Sequence, residues 1–210
     1  MIFKDRIDAG KQLADKLEEF KDNKDVVLLA LPRGGIILAY EVAKKINAPI
    51  DIVVPRKIGA PGNEEFAIGA ITESGEGIFD DDIINSYGIS KEYIDQKVAE
   101  EKKEAERRLK VYRGKKKAIN LKDKIVILID DGIATGNTIF AAIKSVKSKS
   151  PKKIIVAVPV LPPDTIGPVE KVVDELIYID TPPMFGAIGR FYEFFGQTRD
   201  EEVVEIMKKV

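Results

Sequence analysis

Short apolar runs alternate along the chain with stretches of helical periodicity. We predict a buried strand in each run, because a strand covered on both faces is apolar at nearly every position. Apolar residues at helical spacing predict the helices between them. The strands are predicted at residues 26–31, 50–54, 125–129, 154–158 and 175–179, and the helices at 36–46 and 138–148. Buried strands alternating with helices predict an open, mostly parallel, twisted α/β sheet flanked by helices.

The N-terminal stretch is predicted to form a first helix. Asp8 is placed to cap it, because a carboxylate accepts hydrogen bonds from the free N–H groups at a helix start. Apolar side chains then recur on one helical face, at Ala9, Leu13, Leu17 and Phe20.

Residues 59–79 interrupt the alternation with a Gly- and Pro-containing turn and a predicted strand at 66–72. A long, charged helix is predicted at 91–112, with an apolar stripe at Ile94, Val98, Ala105, Leu109 and Tyr112. This pattern favours a solvated helix packed along one stripe, and an interaction arm is the alternative. We expect a core at 1–180 with an inserted loop and helix at 58–118, and a C-terminal hood and helix at 181–210.

Composition narrows the chemistry. The chain has 210 residues, 44 % hydrophobic and 33 % charged, which suits one domain with a core. Its 34 basic and 35 acidic residues argue against a general nucleic-acid binder. The sequence contains neither Cys nor His, which excludes cysteine nucleophiles, Ser-His-Asp triads, Cys/His zinc sites and disulfides. Catalysis would rest on carboxylates, Lys, Arg, backbone dipoles or an oxygen-liganded metal.

The sequence shows no membrane or secretion signal. No apolar run approaches the roughly 20 residues of a membrane span. Residues 1–6 lack the apolar segment of a signal peptide. We therefore expect a cytoplasmic protein with no membrane partner.

Residues 125–138 carry the most specific chemical pattern. Asp130 and Asp131 follow a buried strand directly, where two adjacent carboxylates repel by about 1 kcal/mol or more. A vicinal diol would offset that repulsion by donating two hydrogens, and Mg²⁺ could bridge from the same side. Small residues at 132–138 then lead into a helix whose free N–H groups favour an anion. The run predicts a ribose 5-phosphate site; the alternative is a turn in which Asp and Thr only cap.

Two other segments are expected at the same cleft. Pro-Arg-Gly-Gly at 32–35 ends the first strand, and Arg56 and Lys57 follow the second. Ligands of open α/β sheets bind beyond the carboxyl ends of the strands, so segments 32–35, 55–63 and 130–138 should converge. The glycine pair would expose backbone donors, and Arg33 would add a fork of hydrogen bonds for phosphate oxygens.

The run at 125–138 resembles the phosphoribosyl pyrophosphate motif of type I phosphoribosyltransferases. The resemblance implies that Asp130 and Asp131 bind the ribose hydroxyls and a Mg²⁺ ion. It implies a 5-phosphate site in the following loop, made of Gly132, Ile133, Ala134, Thr135, Gly136, Asn137 and Thr138. It implies a pyrophosphate site made of Pro32, Arg33, Gly34, Gly35, Arg56 and Lys57. Arg56, Lys57 and Asp131 would be the catalytic residues.

The resemblance says less about the acceptor base. In this family a hood near the chain end recognises the base, often by stacking, a role that Phe185 or Tyr192 could take; closure of the core is the equal alternative. Enzymes for 6-oxopurines usually have Asp where this chain has Ala134, which disfavours those acceptors. Residues 58–72 would be a mobile loop that closes over the substrates. The family's pyrophosphate loop often holds a strained or cis peptide, which Gly34 could accommodate.

The resemblance implies an enzyme that transfers ribose 5-phosphate from phosphoribosyl pyrophosphate to a nitrogenous base and releases pyrophosphate. The loop sequences at 32–35 and 56–63 look like a bacterial and archaeal branch of the family. Family members are commonly homodimers or higher homo-oligomers. The alternative is a non-catalytic regulator of the same fold that senses phosphoribosyl pyrophosphate or a nucleotide. No specific nucleic-acid partner is expected, since no basic helix-turn-helix is apparent.

Overall fold

The computed structural model describes residues 2–75 and 77–210, and of Glu65 it describes only the backbone. The strands are β1 (Val26–Ala30), β2 (Ile50–Ile52), β3 (Arg56–Ala60), β4 (Asn63–Ile71), β5 (Gly77–Phe79), β6 (Ile125–Ile129), β7 (Lys153–Val160) and β8 (Glu175–Asp180). The helices are α1 (Arg6–Lys16), α2 (Gly35–Ile46), α3 (Asp81–Ser86), α4 (Lys91–Arg113), α5 (Asn137–Lys147), α6 (Pro163–Glu170) and α7 (Asp200–Lys209). Short 3₁₀ turns lie at Glu18–Phe20 and Ile188–Phe191.

The five predicted apolar runs form one parallel sheet in the order β2-β1-β6-β7-β8. Flanking helices complete the open α/β fold that the hydrophobic pattern predicts. The chain first steps from β1 to β2 and later returns to the opposite side of β1 with β6. The strand order therefore reverses between β1 and β6, which is the position where open sheets of this kind bind ligands.

The two faces of this sheet carry separate hydrophobic cores. Side chains alternate along a strand, so Leu28 and Ile127 belong to one core, and Leu29 and Leu128 to the other. The first core includes side chains of α1, α2 and α7, and the second includes side chains of α5 and α6. Each buried Leu contributes about 1.5–3 kcal/mol. The loops at the carboxyl edge of the sheet therefore extend from a well-packed core.

Two predicted boundaries are corrected. Helix α1 begins at Arg6, and its cap is Asp5, whose carboxylate accepts a hydrogen bond from the N–H of Asp8. Asp8 thus lies inside the first turn. Strand β2 ends at Ile52, two residues early, because the N–H of Val54 turns away from the sheet to the Glu73 carboxylate, 3.3 Å away.

The interrupting segment forms a second, antiparallel sheet in the order β3-β4-β5. Residues 58–72, expected as a loop, lie mainly in the β3–β4 hairpin. The hairpin has its own small core, in which Ile58 and Ile68 pack with the Ile94 and Val98 side chains of α4. At the C-terminal end of α4, Tyr112 is buried in the first core of the main sheet. The predicted apolar stripe of this helix therefore joins the second sheet to the first.

The C-terminal segment returns to the N-terminus. Phe3 pairs with Tyr192 in an isolated parallel bridge, and the N–H of Phe3 donates to the carbonyl of Phe191 at 2.8 Å. Phe185, Phe191 and Tyr192 are all buried in the first core. Within the described ranges, no helix is both long and apolar enough to cross a membrane.

Candidate active site

The adjacent carboxylates follow β6 at the carboxyl edge of the main sheet. The N–H of Asp131 donates to Oδ1 of Asp130 at 2.8 Å. Burial raises the pKa of both carboxyl groups, and the charge of Asp131 raises that of Asp130 further. Ionised together, the two groups need compensation by hydrogen-bond donors or positive charge.

Part of that compensation comes from a residue that the sequence pattern does not single out. Nε of Arg6 donates to Oδ2 of Asp131 at 2.7 Å, which opposes the effect of burial on the pKa of Asp131. The two residues are 125 positions apart. The capping pattern beside Arg6 predicts that the residue lies near the start of a helix. It does not predict which residue the guanidinium contacts.

The Pro-Arg-Gly-Gly segment lies directly against this carboxylate pair. A Cβ atom on Gly34 would lie 1.9 Å from Oδ2 of Asp131, and one on Gly35 would lie 2.5 Å from the carbonyl oxygen of Ile129. Only glycine permits this approach. The peptide bond between Pro32 and Arg33 is cis, one residue before the position considered from sequence. Nη1 of Arg33 lies 3.7 Å from Oδ1 of Asp200 in α7.

The residues after the carboxylates form a cradle at the start of α5. Gly136 caps this helix with φ +83°, a left-handed conformation that favours glycine. Ala134 and Thr135 are exposed in the loop before it. The first N–H groups of α5 have no partner within the helix and carry its positive dipole end. This geometry suits a phosphate group.

The three predicted segments line one cavity of about 380 Å³. Pro32 comes from the first segment, Arg56 and Lys57 from the second, and Thr138 from the third. The remaining lining residues are Pro55, Gly59, Glu64, Lys97, Glu101 and Arg108. The last three belong to α4, so the helix whose charged face is predicted to be solvated forms one wall of this cavity.

The basic groups of this cavity are partly paired. Nε of Arg56 lies 2.6 Å from Oε2 of Glu101, and Nζ of Lys97 lies 3.3 Å from Oε1 of Glu64. Lys57 is exposed. Four basic and two acidic side chains line the cavity, so it favours an anionic ligand.

A second cavity, of about 390 Å³, lies beside the same loop and is lined by Ala134, Thr135, Phe140, Pro162, Asp164, Thr165, Pro168, Phe185 and Gly186. Phe185 therefore packs in the first core and also lines this cavity. Tyr192 is 6 % exposed, its ring lies against Phe3 and Phe195, and its hydroxyl donates to the Asp131 carbonyl at 2.6 Å. The ring of Tyr192 is thus buried, as the core-closure alternative expects, and base stacking by this residue stays a prediction.

Among the residues that the structure describes, no cluster of three or more acidic, His or Cys side chains is suited to a metal. Asp130 and Asp131 still fit Mg²⁺ in the form this ion commonly takes, bound by one or two carboxylates together with substrate phosphates and water.

A type I phosphoribosyltransferase fold is defined by three features together: the reversal of strand order between β1 and β6, the 32–35 segment against Asp131, and the cradle before α5. Residues 3–193 match the family described as "Phosphoribosyl transferase domain". The chain therefore belongs to the phosphoribosyl transferase domain family.

Relatives agree with this assignment. A Mycobacterium tuberculosis protein named "Putative phosphoribosyl transferase Rv0571c" is 38 % identical over 208 residues, covering 99 % of this chain and 47 % of that protein. The chain thus spans about half the length of this relative. The uracil phosphoribosyltransferase of Mycoplasma genitalium is 46 % identical over 57 residues, 27 % of this chain and 28 % of that enzyme.

A solved structure shares the whole architecture. The crystal structure of TT1426 from Thermus thermophilus is 35 % identical, with a TM-score of 0.83. The likeness covers 100 % of this chain and 99 % of that one. It therefore includes the second sheet, α4 and the C-terminal segment as well as the main sheet.

Proposed function

We propose that the chain transfers the ribose 5-phosphate unit of phosphoribosyl pyrophosphate to a nitrogenous base and releases pyrophosphate. The observation that carries this proposal is the shared cavity. Pro32, Arg56, Lys57 and Thr138 come from three separate strand ends and meet around one space suited to an anion. Family membership supports the same reaction class.

Each part of the donor has a candidate partner. Asp130 and Asp131 accept hydrogen bonds from the ribose hydroxyls, and the loop from Gly132 to Thr138 holds the 5-phosphate through backbone N–H groups. Arg56 and Lys57, with the 32–35 segment, bind the pyrophosphate. Mg²⁺ held by the carboxylates and the donor would neutralise phosphate charge.

The reaction proceeds through a transition state like that of glycoside cleavage, with positive charge on the sugar. The chain contributes by fixing the ribose against the carboxylates and by stabilising negative charge on the departing pyrophosphate at Arg56 and Lys57. The chain has no His. Any proton transfer from the acceptor therefore falls to a carboxylate or to solvent.

The acceptor is proposed to enter beside the loop on the side of Phe185. Ala134 lines the cavity there, in the position where a 6-oxopurine enzyme usually has Asp, which disfavours those bases. Uracil is a reasonable first acceptor to test, because one relative is named for it. The division into a core at 1–180, with the 58–118 insertion, and a hood at 181–210 belongs to this proposal, as does assembly into a homodimer or a higher homo-oligomer.

The test is an assay of pyrophosphate release with Mg²⁺, phosphoribosyl pyrophosphate and a panel of uracil, adenine and hypoxanthine. We expect release with one acceptor and none from the double variant Asp130→Asn/Asp131→Asn. Donor binding without turnover for any acceptor would favour the sensing regulator instead. Undiminished donor binding by the double variant would overturn the site assignment.

A further inference from the structure

Arg6 joins three parts of the molecule that are distant in sequence. Its Nε donates to Oδ2 of Asp131 at 2.7 Å, and its Nη1 donates to the carbonyl of Gly196 at 2.6 Å. The guanidinium carbon also lies 3.9 Å from the centre of the Phe195 ring. The side chain is only 11 % exposed. The group is therefore a fixed cation inside the protein.

The backbone of Arg6 is held as firmly as its side chain. Arg6 is the first residue of α1, and Asp5 caps this helix. Phe3 is tied to the C-terminal segment, since its N–H donates to Phe191 and its carbonyl accepts from Glu193, both at 2.8 Å. Ala9 and Leu13 are fully buried. The guanidinium thus reaches Asp131 from an anchored helix start.

Stability alone explains this buried ion pair poorly. Removing two charges from water costs several kcal/mol per ion, and apolar side chains of similar size often stabilise a protein at least as well. The pair also lies beside Gly34, where an added Cβ would be 2.9 Å from Nε of Arg6. The Arg6–Asp131 contact therefore lies where the 32–35 segment packs against the Asp130 and Asp131 carboxylates.

We propose that Arg6 is a positioning residue of the donor site, which holds the Asp131 carboxylate in the orientation that accepts a ribose hydroxyl. This rests on the proposed function. Arg6 binds Oδ2 of Asp131, and the other carboxylate oxygen is the proposed acceptor of the ribose hydroxyl. Through Gly196 and Phe195 it also fixes the C-terminal segment beside the same carboxylate. Arginine suits the task because its planar group donates in two directions and stacks on an aromatic ring.

The test compares Arg6→Gln and Arg6→Lys with the native chain. Isothermal titration with Mg²⁺ would measure the binding of ribose 5-phosphate and of pyrophosphate separately. Arg6→Gln should weaken ribose 5-phosphate binding about tenfold, as expected when a charge-assisted hydrogen bond is lost. Pyrophosphate binding should change much less, since Arg56 and Lys57 supply its proposed charged partners. Arg6→Lys should weaken ribose 5-phosphate binding less than Arg6→Gln does, and should likewise affect ribose 5-phosphate more than pyrophosphate.

A matched control is Lys11→Gln, which makes the same charge change at an exposed position of α1; it should bind both ligands normally. Normal ribose 5-phosphate binding by Arg6→Gln, or an equal loss for pyrophosphate in a folded variant, would overturn the inference. If Arg6→Gln does not fold, Arg6→Lys decides alone, because it leaves no unpaired buried carboxylate. Failure of the native chain to bind ribose 5-phosphate would instead overturn the proposed function.

Discussion

Glycine at position 34 shows how strictly one residue can be specified by its neighbours. The space that a side chain would need is filled by the Asp131 carboxylate and Arg6. A methyl group there must displace the carboxylate, the guanidinium or the backbone of the 32–35 segment. The sequence shows a Gly pair after a strand. The structure supplies the reason for both, because an added Cβ at Gly35 would meet the carbonyl oxygen of Ile129.

Gly34→Ala should therefore lower stability by about 1–3 kcal/mol and weaken ribose 5-phosphate binding, because the carboxylate that would accept its hydroxyl is pushed aside. Urea unfolding and calorimetric titration measure the two effects. Gly167→Ala is a matched control, since Gly167 lies in α6 with nothing within 4 Å of its added Cβ. That variant should bind ribose 5-phosphate normally, with at most a small loss of stability because Gly167 precedes Pro168. Full ribose 5-phosphate binding by Gly34→Ala would contradict the close approach at Asp131.

Helix α4 both packs against the two sheets and lines a cavity, and its amino-acid composition alone does not distinguish these two roles. Its apolar stripe packs on the second sheet and the first core, and its charged face supplies Lys97, Glu101 and Arg108 to the cavity that Arg56 and Lys57 also line. The Arg56–Glu101 pair joins this helix to the start of β3. A pyrophosphate group that binds Arg56 must compete with Glu101 for it.

Glu101→Gln should therefore tighten pyrophosphate binding by about two- to fivefold, the range expected when a partly exposed ion pair no longer competes. Arg56→Ala should do the opposite and should weaken pyrophosphate more than ribose 5-phosphate. Competition calorimetry measures both. Glu106→Gln, on the exposed side of the same helix, is the control for a general change of charge. Equal effects of the two Glu variants would show that Arg56 is not the group released.

The molecule as a whole could be predicted from sequence only where the pattern is local. Apolar runs identify the five parallel strands, and their tails identify the glycine segment, the carboxylate pair and the cradle. Arg6 could not be paired with Asp131, because 125 residues separate them and helix caps give no long-range partner. The hairpin was missed in part because Gly59 and Pro61 indicate a loop, whereas the packing of Ile58 and Ile68 under α4 makes the segment a sheet.

Global stability should depend on pH in part through Glu104. Hydrogen bonds from Arg107 and Arg108 lower the pKa of Glu104 from 4.5 to about 2. A carboxyl group with a lowered pKa in the folded state stabilises it fully above the unfolded value. This contribution is lost as the pH falls from 4.5 towards 2. The free energy of unfolding should therefore fall more steeply in this window for the native chain than for Glu104→Gln.

Urea titrations at a series of pH values measure this difference, with Glu106→Gln as the control. Arg107 and Arg108 keep their charge throughout. Glu92 and Glu100, whose pKa values are also lowered, are present in both chains, so the difference between the two curves reports Glu104. Native and Glu104→Gln curves that run parallel below pH 4.5 would contradict the lowered pKa.

The hydroxyl of Tyr192 has a further, optical consequence. The chain contains six tyrosines and no tryptophan, so its near-ultraviolet fluorescence comes from tyrosine without tryptophan emission to obscure it. Tyr192 donates to the carbonyl of the residue whose carboxylate would hold the ribose. We expect the tyrosine emission to respond to ligands at the proposed donor site, and the difference between the native spectrum and that of Tyr192→Phe would report the part due to Tyr192.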